Sequence, residues 1–162
     1  MSTFQQPPFH KAEPYYKTPE NIILEKLNLL ELKDGDTLID LGSGDAKSLI
    51  LACKIANVKC IGYEILPEAL QEAEINIKGA NLSDRIEIRN EDFTTADLSD
   101  ADAIILYLTR ATLGELSLKL ENELKKGVKI VTHEFDLPAW EIKKNVTHNH
   151  NGFINDIYLF EK

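Results

Sequence analysis

The chain has 162 residues, 43% hydrophobic and 28% charged, which suits one globular domain with a single core. Its 27 Asp and Glu outweigh 18 Lys and Arg, leaving a net charge of −9 that disfavours phosphate backbones and anionic membranes and attracts basic partners. No apolar run reaches the roughly 18 residues of a membrane helix, and residues 1–14 lack the core of a signal peptide, so a cytoplasmic protein without membrane partners is expected.

Residues 1–17 carry Pro7, Pro8 and Pro14 among scattered aromatics and predict an extended arm, leaving 18–162 as the domain. Thr18 as N-cap and Pro19 at the first helical position open a helix that runs to about Leu32, with Ile23, Leu24, Leu27, Leu30 and Glu31 at helical spacing. Asp34-Gly35-Asp36 is a turn, and 37–41 is a short apolar run closed by glycines, the pattern of a buried parallel strand. A helix over 46–56, a strand over 59–63 and a helix over 66–78 follow. Strands are expected over 85–89, 103–108 and 128–132, with a helix over 113–125 before the last. Two strands over 142–146 and 153–160 then flank a turn-prone His148-Asn149-His150-Asn151-Gly152. The order predicts an α/β fold with a mainly parallel seven-stranded sheet and an antiparallel C-terminal hairpin. Cys53 and Cys60 match no metal or redox spacing and read as reduced, buried residues. His148 and His150 lack a third ligand, so no metal is expected.

The chemistry concentrates in Asp40-Leu41-Gly42-Ser43-Gly44-Asp45, the first turn from strand to helix. Glycines there let a ligand approach the backbone, and Glu64, 20 residues after Gly44, is placed to accept ribose hydroxyls. A dinucleotide fingerprint wants a third glycine where Lys47 stands, and it sets a pyrophosphate on the helix N-terminus. Asp40 and Asp45 would repel that pyrophosphate but suit the ammonium and sulfonium of S-adenosylmethionine, which is the expected cofactor. In Glu91-Asp92-Phe93 an acid can bond the adenine amine while Phe93 covers the ring.

Beyond this layout, that of the Rossmann-like class I methyltransferases, the chain resembles the archaeal broad-specificity protein-lysine methyltransferases, small relatives of the non-SET histone lysine methyltransferase. The resemblance spans residue 14 to the C-terminus. It rests on Pro14-Tyr15-Tyr16-Lys17-Thr18-Pro19-Glu20, the acid–glycine loop, and Gly62-Tyr63-Glu64-Ile65. It continues in Leu108-Thr109, Lys119-Leu120-Glu121-Asn122-Glu123-Leu124-Lys125, His133-Glu134-Phe135 and Trp140. It implies an arm packed over the cofactor with Tyr15 and Thr18 near the methyl donor, and protein substrates bearing exposed lysines. Cofactor-binding roles are then expected for Thr18, Asp40, Gly42, Ser43, Gly44, Asp45, Glu64, Ile65, Glu91, Asp92, Phe93 and Tyr107.

A lysine amine, with its pKa near 10.4, must be bound neutral or desolvated before it can attack. Tyr15, Tyr16, Tyr107 and Phe135 are candidates for an aromatic rim serving that end. Glu134 is expected to hold the incoming ammonium; His133 titrates near neutrality as a base would, but a structural polar contact at the strand end is its expected role. Tyr15, Thr18, Tyr107 and Glu134 form the expected catalytic set. Tyr107-Leu108-Thr109-Arg110 replaces the Asn/Asp-Pro-Pro-Tyr/Phe motif of base and glutamine methylation. A small-molecule or RNA methyltransferase on the same fold is the alternative, with the charge against nucleic acid, and a monomer is expected.

Overall fold

The computed structural model describes residues 15–162, so the first fourteen residues of the expected arm lie outside the described residues. In chain order the elements are α1 (Glu20–Leu30), β1 (Thr37–Leu41), α2 (Lys47–Ile55), β2 (Lys59–Tyr63), α3 (Pro67–Gly79) and β3 (Ile86–Arg89). A 3-10 turn (Phe93–Thr95) leads to β4 (Ala103–Leu106), α4 (Arg110–Glu123), β5 (Lys129–His133), β6 (Lys144–His150) and β7 (Phe153–Glu161). The strands form one seven-stranded sheet in the order β3-β2-β1-β4-β5-β7-β6. Pairing is parallel from β3 to β5 and antiparallel for β7 and β6, as the alternation of elements predicts.

Side chains alternate across each strand, so the sheet has two apolar faces. Leu38, Cys60, Ile105, Val131 and Ile157 join α1, α2 and α3 in one core. Ile39, Ile61, Ile104, Ile130 and Phe160 join α4 and the Phe93 turn in the other. Cys53 and Cys60 are free thiols inside the first core, their sulfurs 3.7 Å apart. Trp140, partly buried, packs on the second core, with Lys162 Nζ 6.0 Å from its ring centroid. No helix among the described residues is long and apolar enough to cross a membrane.

Several element ends differ from expectation, each for a local reason. α1 starts at Glu20, because Pro19 is the N-cap and its carbonyl accepts from Ile22 N and Ile23 N; no side chain caps the helix, Thr18 included. It stops at Leu30, where Glu31 turns left-handed (φ 48°). β4 ends at Leu106, in register with Leu41 and Thr132, so Tyr107 lies just past the strand. α4 begins at Arg110, because the Thr109 side chain accepts from Thr112 N. The expected five-residue turn shrinks to Asn151-Gly152, both at positive φ (51° and 83°), the two-residue hairpin turn that Asn-Gly favours. His148 and His150 are therefore strand residues, not turn residues, and lie 3.1 and 3.0 Å from the Asn21 side-chain amide.

Candidate active site

The strand order reverses between β1 and β4, the place where open α/β sheets hold ligands beyond the carboxyl ends of their strands. The loop after β1 is hooked to its neighbour: Gly42 N and Ser43 N both donate to Tyr63 O, at 2.8 and 3.0 Å. Gly42 and Gly44 take left-handed conformations (φ 84° and 57°), and a Cβ on Gly44 would stand 3.0 Å from the Tyr15 ring. Tyr15 thus lies directly across the loop, its hydroxyl 3.5 Å from Glu72 Oε2 on α3. Burial and the nearby Asp45 and Glu72 carboxylates push that hydroxyl's pKa well up.

Glu64 is nearly buried just past β2. Its Oε1 accepts from Gly44 N at 2.8 Å, and its Oε2 accepts from Ile65 N and Leu66 N at 2.9 and 3.1 Å. These bonds take three of the roughly four acceptor positions of a carboxylate, locking it in place at the cavity wall. Asp45 Oδ1 accepts from Lys47 N at 3.2 Å and so covers the start of α2. Asp92 Oδ1 likewise accepts from Thr94 N at 2.9 Å.

The period-two alternation sends Asp40, Tyr107 and His133 toward α1, on the side shared with Leu38, Ile105 and Val131. There they meet Lys26, whose stripe on α1 is otherwise apolar (Ile22, Ile23, Leu27, Leu30). Its Nζ lies 4.8 Å from the Tyr107 ring centroid, and Tyr107 stacks on His133 with centroids 4.0 Å apart. Desolvation lowers the Lys26 pKa to about 8 against the pull of Asp40 and Glu134, and desolvation raises buried Asp40 to about 8. Tyr107 is raised to about 12, first by burial, then by the nearby Glu134 carboxylate.

His133 makes a structural contact at the end of β5. It is 1% exposed, and burial with the nearby Lys26 charge lowers its pKa to about 3, so the ring is neutral at working pH and a weak proton acceptor. Its Nε2 lies 2.8 Å from Asn155 Oδ1, while Asn155 Nδ2 donates to His148 O and Phe153 O; the imidazole proton therefore sits on Nε2. Glu134, the next residue, is exposed and left-handed (φ 69°), its N–H held by Asp156 O at 2.7 Å.

Tyr15, Thr18, Asp40, Gly42, Ser43, Gly44, Asp45, Glu64, Ile65, Glu91, Asp92, Phe93, Tyr107 and Glu134 all line one cavity. Lys26 and Ser48 line it as well, without having been singled out, and so do Lys47 and Thr109, which were given no binding role. The signal for Lys26 was a lysine at an apolar-stripe position of an otherwise regular amphipathic helix. The donor set decides between ligand classes. The Gly44 and Lys47 amides, which a pyrophosphate would need, already donate to Glu64 and Asp45. An acid-lined cradle with its amides spent fits a cationic nucleoside, S-adenosylmethionine, and not a dinucleotide.

Known proteins agree with this geometry. Residues 40–144 match the ANTKMT methyltransferase domain. The chain is 33% identical over 148 residues to a protein-lysine N-methyltransferase of Saccharolobus islandicus, covering 91% of this chain and 92% of that protein. It is 28% identical to the adenine nucleotide translocase lysine N-methyltransferase of Mus musculus, spanning 85% of this chain but 60% of the mouse protein. Among solved structures, an RNA methyltransferase from Salinibacter ruber in complex with S-adenosyl-L-homocysteine superposes with a TM-score of 0.83 at 31% identity, covering 90% of this chain and 93% of the other. The chain belongs to the ANTKMT methyltransferase domain family and is a class I methyltransferase that uses S-adenosylmethionine.

Proposed function

We propose that the protein methylates lysine side-chain amines of proteins. The observation that carries this reading is the Tyr107–Glu134 pair at the cavity: an exposed carboxylate near a tyrosine, beside aromatic faces. Glu134 attracts a substrate ammonium. The rings of Tyr107, Tyr16 and Phe135 then replace its water, and desolvation favours the neutral amine.

Asp40, Gly42, Ser43, Gly44 and Asp45 form the floor for the amino-acid portion of the cofactor, with Thr18 and Tyr107 at its sides. Glu64 and Ile65 hold the ribose, and Glu91, Asp92 and Phe93 hold the adenine. Bound S-adenosylmethionine supplies an electrophilic methyl group. Tyr15 closes the glycine loop from above and excludes water there. No strong base is required once a neutral amine is aligned, which accords with the neutral His133.

The Saccharolobus and mouse relatives support a protein-lysine acceptor, and the net charge of −9 favours basic protein surfaces. The Salinibacter relative is named for RNA and supplies the second reading. Incubation with methyl-labelled S-adenosylmethionine and a cell lysate, with nuclease or protease added in parallel, separates the two. Label that survives nuclease, disappears with protease and maps to lysine is the expected result. Label removed by nuclease alone would replace this proposal with the RNA reading.

A further inference from the structure

A buried cation in the cofactor cavity has no role so far. Lys26 is 1% exposed, yet it lines the cavity. Among the described residues its Nζ makes no hydrogen bond and meets no carboxylate within ion-pair distance; its neighbours are the Tyr107 face and His133, with Asp40 and Glu134 more distant. Burying an ammonium without a close anion is costly, and an aromatic face offsets only part of that cost. A methionine or leucine would complete the apolar stripe of α1 at no such cost. The lysine is therefore held against the stability of the fold, at the wall of the cofactor cavity.

S-adenosylmethionine carries one anionic group, the carboxylate of its methionine portion, beside an ammonium and a sulfonium. The acids of the cavity suit the two cations and leave the carboxylate without a partner. Lys47, another cation lining the cavity, is 43% exposed and reaches Glu20 Oε2 at 3.6 Å. We propose that Lys26 is the counter-ion of the cofactor's carboxylate, and that it makes the site selective for adenosyl amino acids over adenosyl amines. Asp40 completes the recognition by facing the ammonium, so α1 and β1 together read a zwitterion. The assignment rests on the cofactor reading given above.

Calorimetry with S-adenosylhomocysteine and with its decarboxylated counterpart, which keeps the adenosine, the sulfur and the amine, tests it without relying on turnover. The wild type is expected to prefer S-adenosylhomocysteine by about tenfold or more, a difference of about 1.4 kcal/mol. Lys26→Met is expected to lose about that factor toward S-adenosylhomocysteine and to bind the decarboxylated ligand within about twofold of the wild type. The same variant is expected to melt a few °C higher without ligand, because a hydrophobe replaces a buried charge. Equal losses on both ligands, or no loss on either, would overturn the assignment of Lys26 alone. A wild type that binds both equally overturns it even if the variant fails to fold, and one that binds neither overturns the cofactor reading with it.

Discussion

At the scale of single residues, the site is governed by how little water reaches the α1 side of the sheet. His133 shows the consequence most plainly. Its pKa falls from an ordinary 6.5 to about 3 because burial disfavours the imidazolium and Lys26 repels it. Between those values the unfolded chain binds a proton that the folded chain refuses, so stability declines as pH drops from about 6.5 toward about 3. His133→Gln is expected to flatten that part of the curve of unfolding free energy against pH, measured by urea titration. It should leave the pH profile of methyl transfer above pH 6.5 unchanged in shape. A profile whose limb near neutrality vanished in the variant would show that His133 titrates in catalysis after all.

At the scale of elements, the glycine loop owes its place to the strand beside it. Gly62 of β2 stands opposite Asp40 of β1, and Ser43 folds back over it. A Cβ on Gly62 would fall 2.5 Å from Ser43 Oγ and 2.7 Å from Ile88 Cδ1. Gly62→Ala must therefore push the loop off β2 or displace Ile88, and overpacking of this kind costs about 1–3 kcal/mol. The expected result is a lower melting temperature together with weaker S-adenosylhomocysteine binding, since the loop that moves is the loop that lines the cavity. A stability loss with unchanged affinity would place the adjustment in Ile88 on β3 instead.

At the scale of the molecule, the excess of acids sets which partners approach. A net charge of −9 steers basic proteins toward the surface, and salt screens that attraction with a Debye length shrinking from about 10 Å at 0.1 M to about 3 Å at 1 M. Raising ionic strength is expected to lower kcat/KM on a lysine-rich protein several-fold, through slower association. Methylation of a short neutral peptide containing one lysine should change little. A protein substrate with no salt dependence would mean that contact surface, not charge, selects it.

The sequence by itself determined the order and type of the elements, because strand runs such as Thr37–Leu41 and Lys59–Tyr63 are apolar and bounded by turns. It also marked the acid–glycine loop, whose residues lie close together in the chain. Element ends were less legible where a cap or a turn residue decided them, as at Pro19, Thr109 and Asn151-Gly152. The burial of Lys26, which its place on an apolar stripe only hinted at, and the neutral state of His133 were decided by the tertiary structure. A lysine on a helix reads as solvated and a histidine reads as titratable until packing removes the water. Only the meeting of α1 with β1, β4 and β5 does that, through contacts between segments far apart in the chain, and it turns two ordinary polar residues into a buried cation and an inert ring.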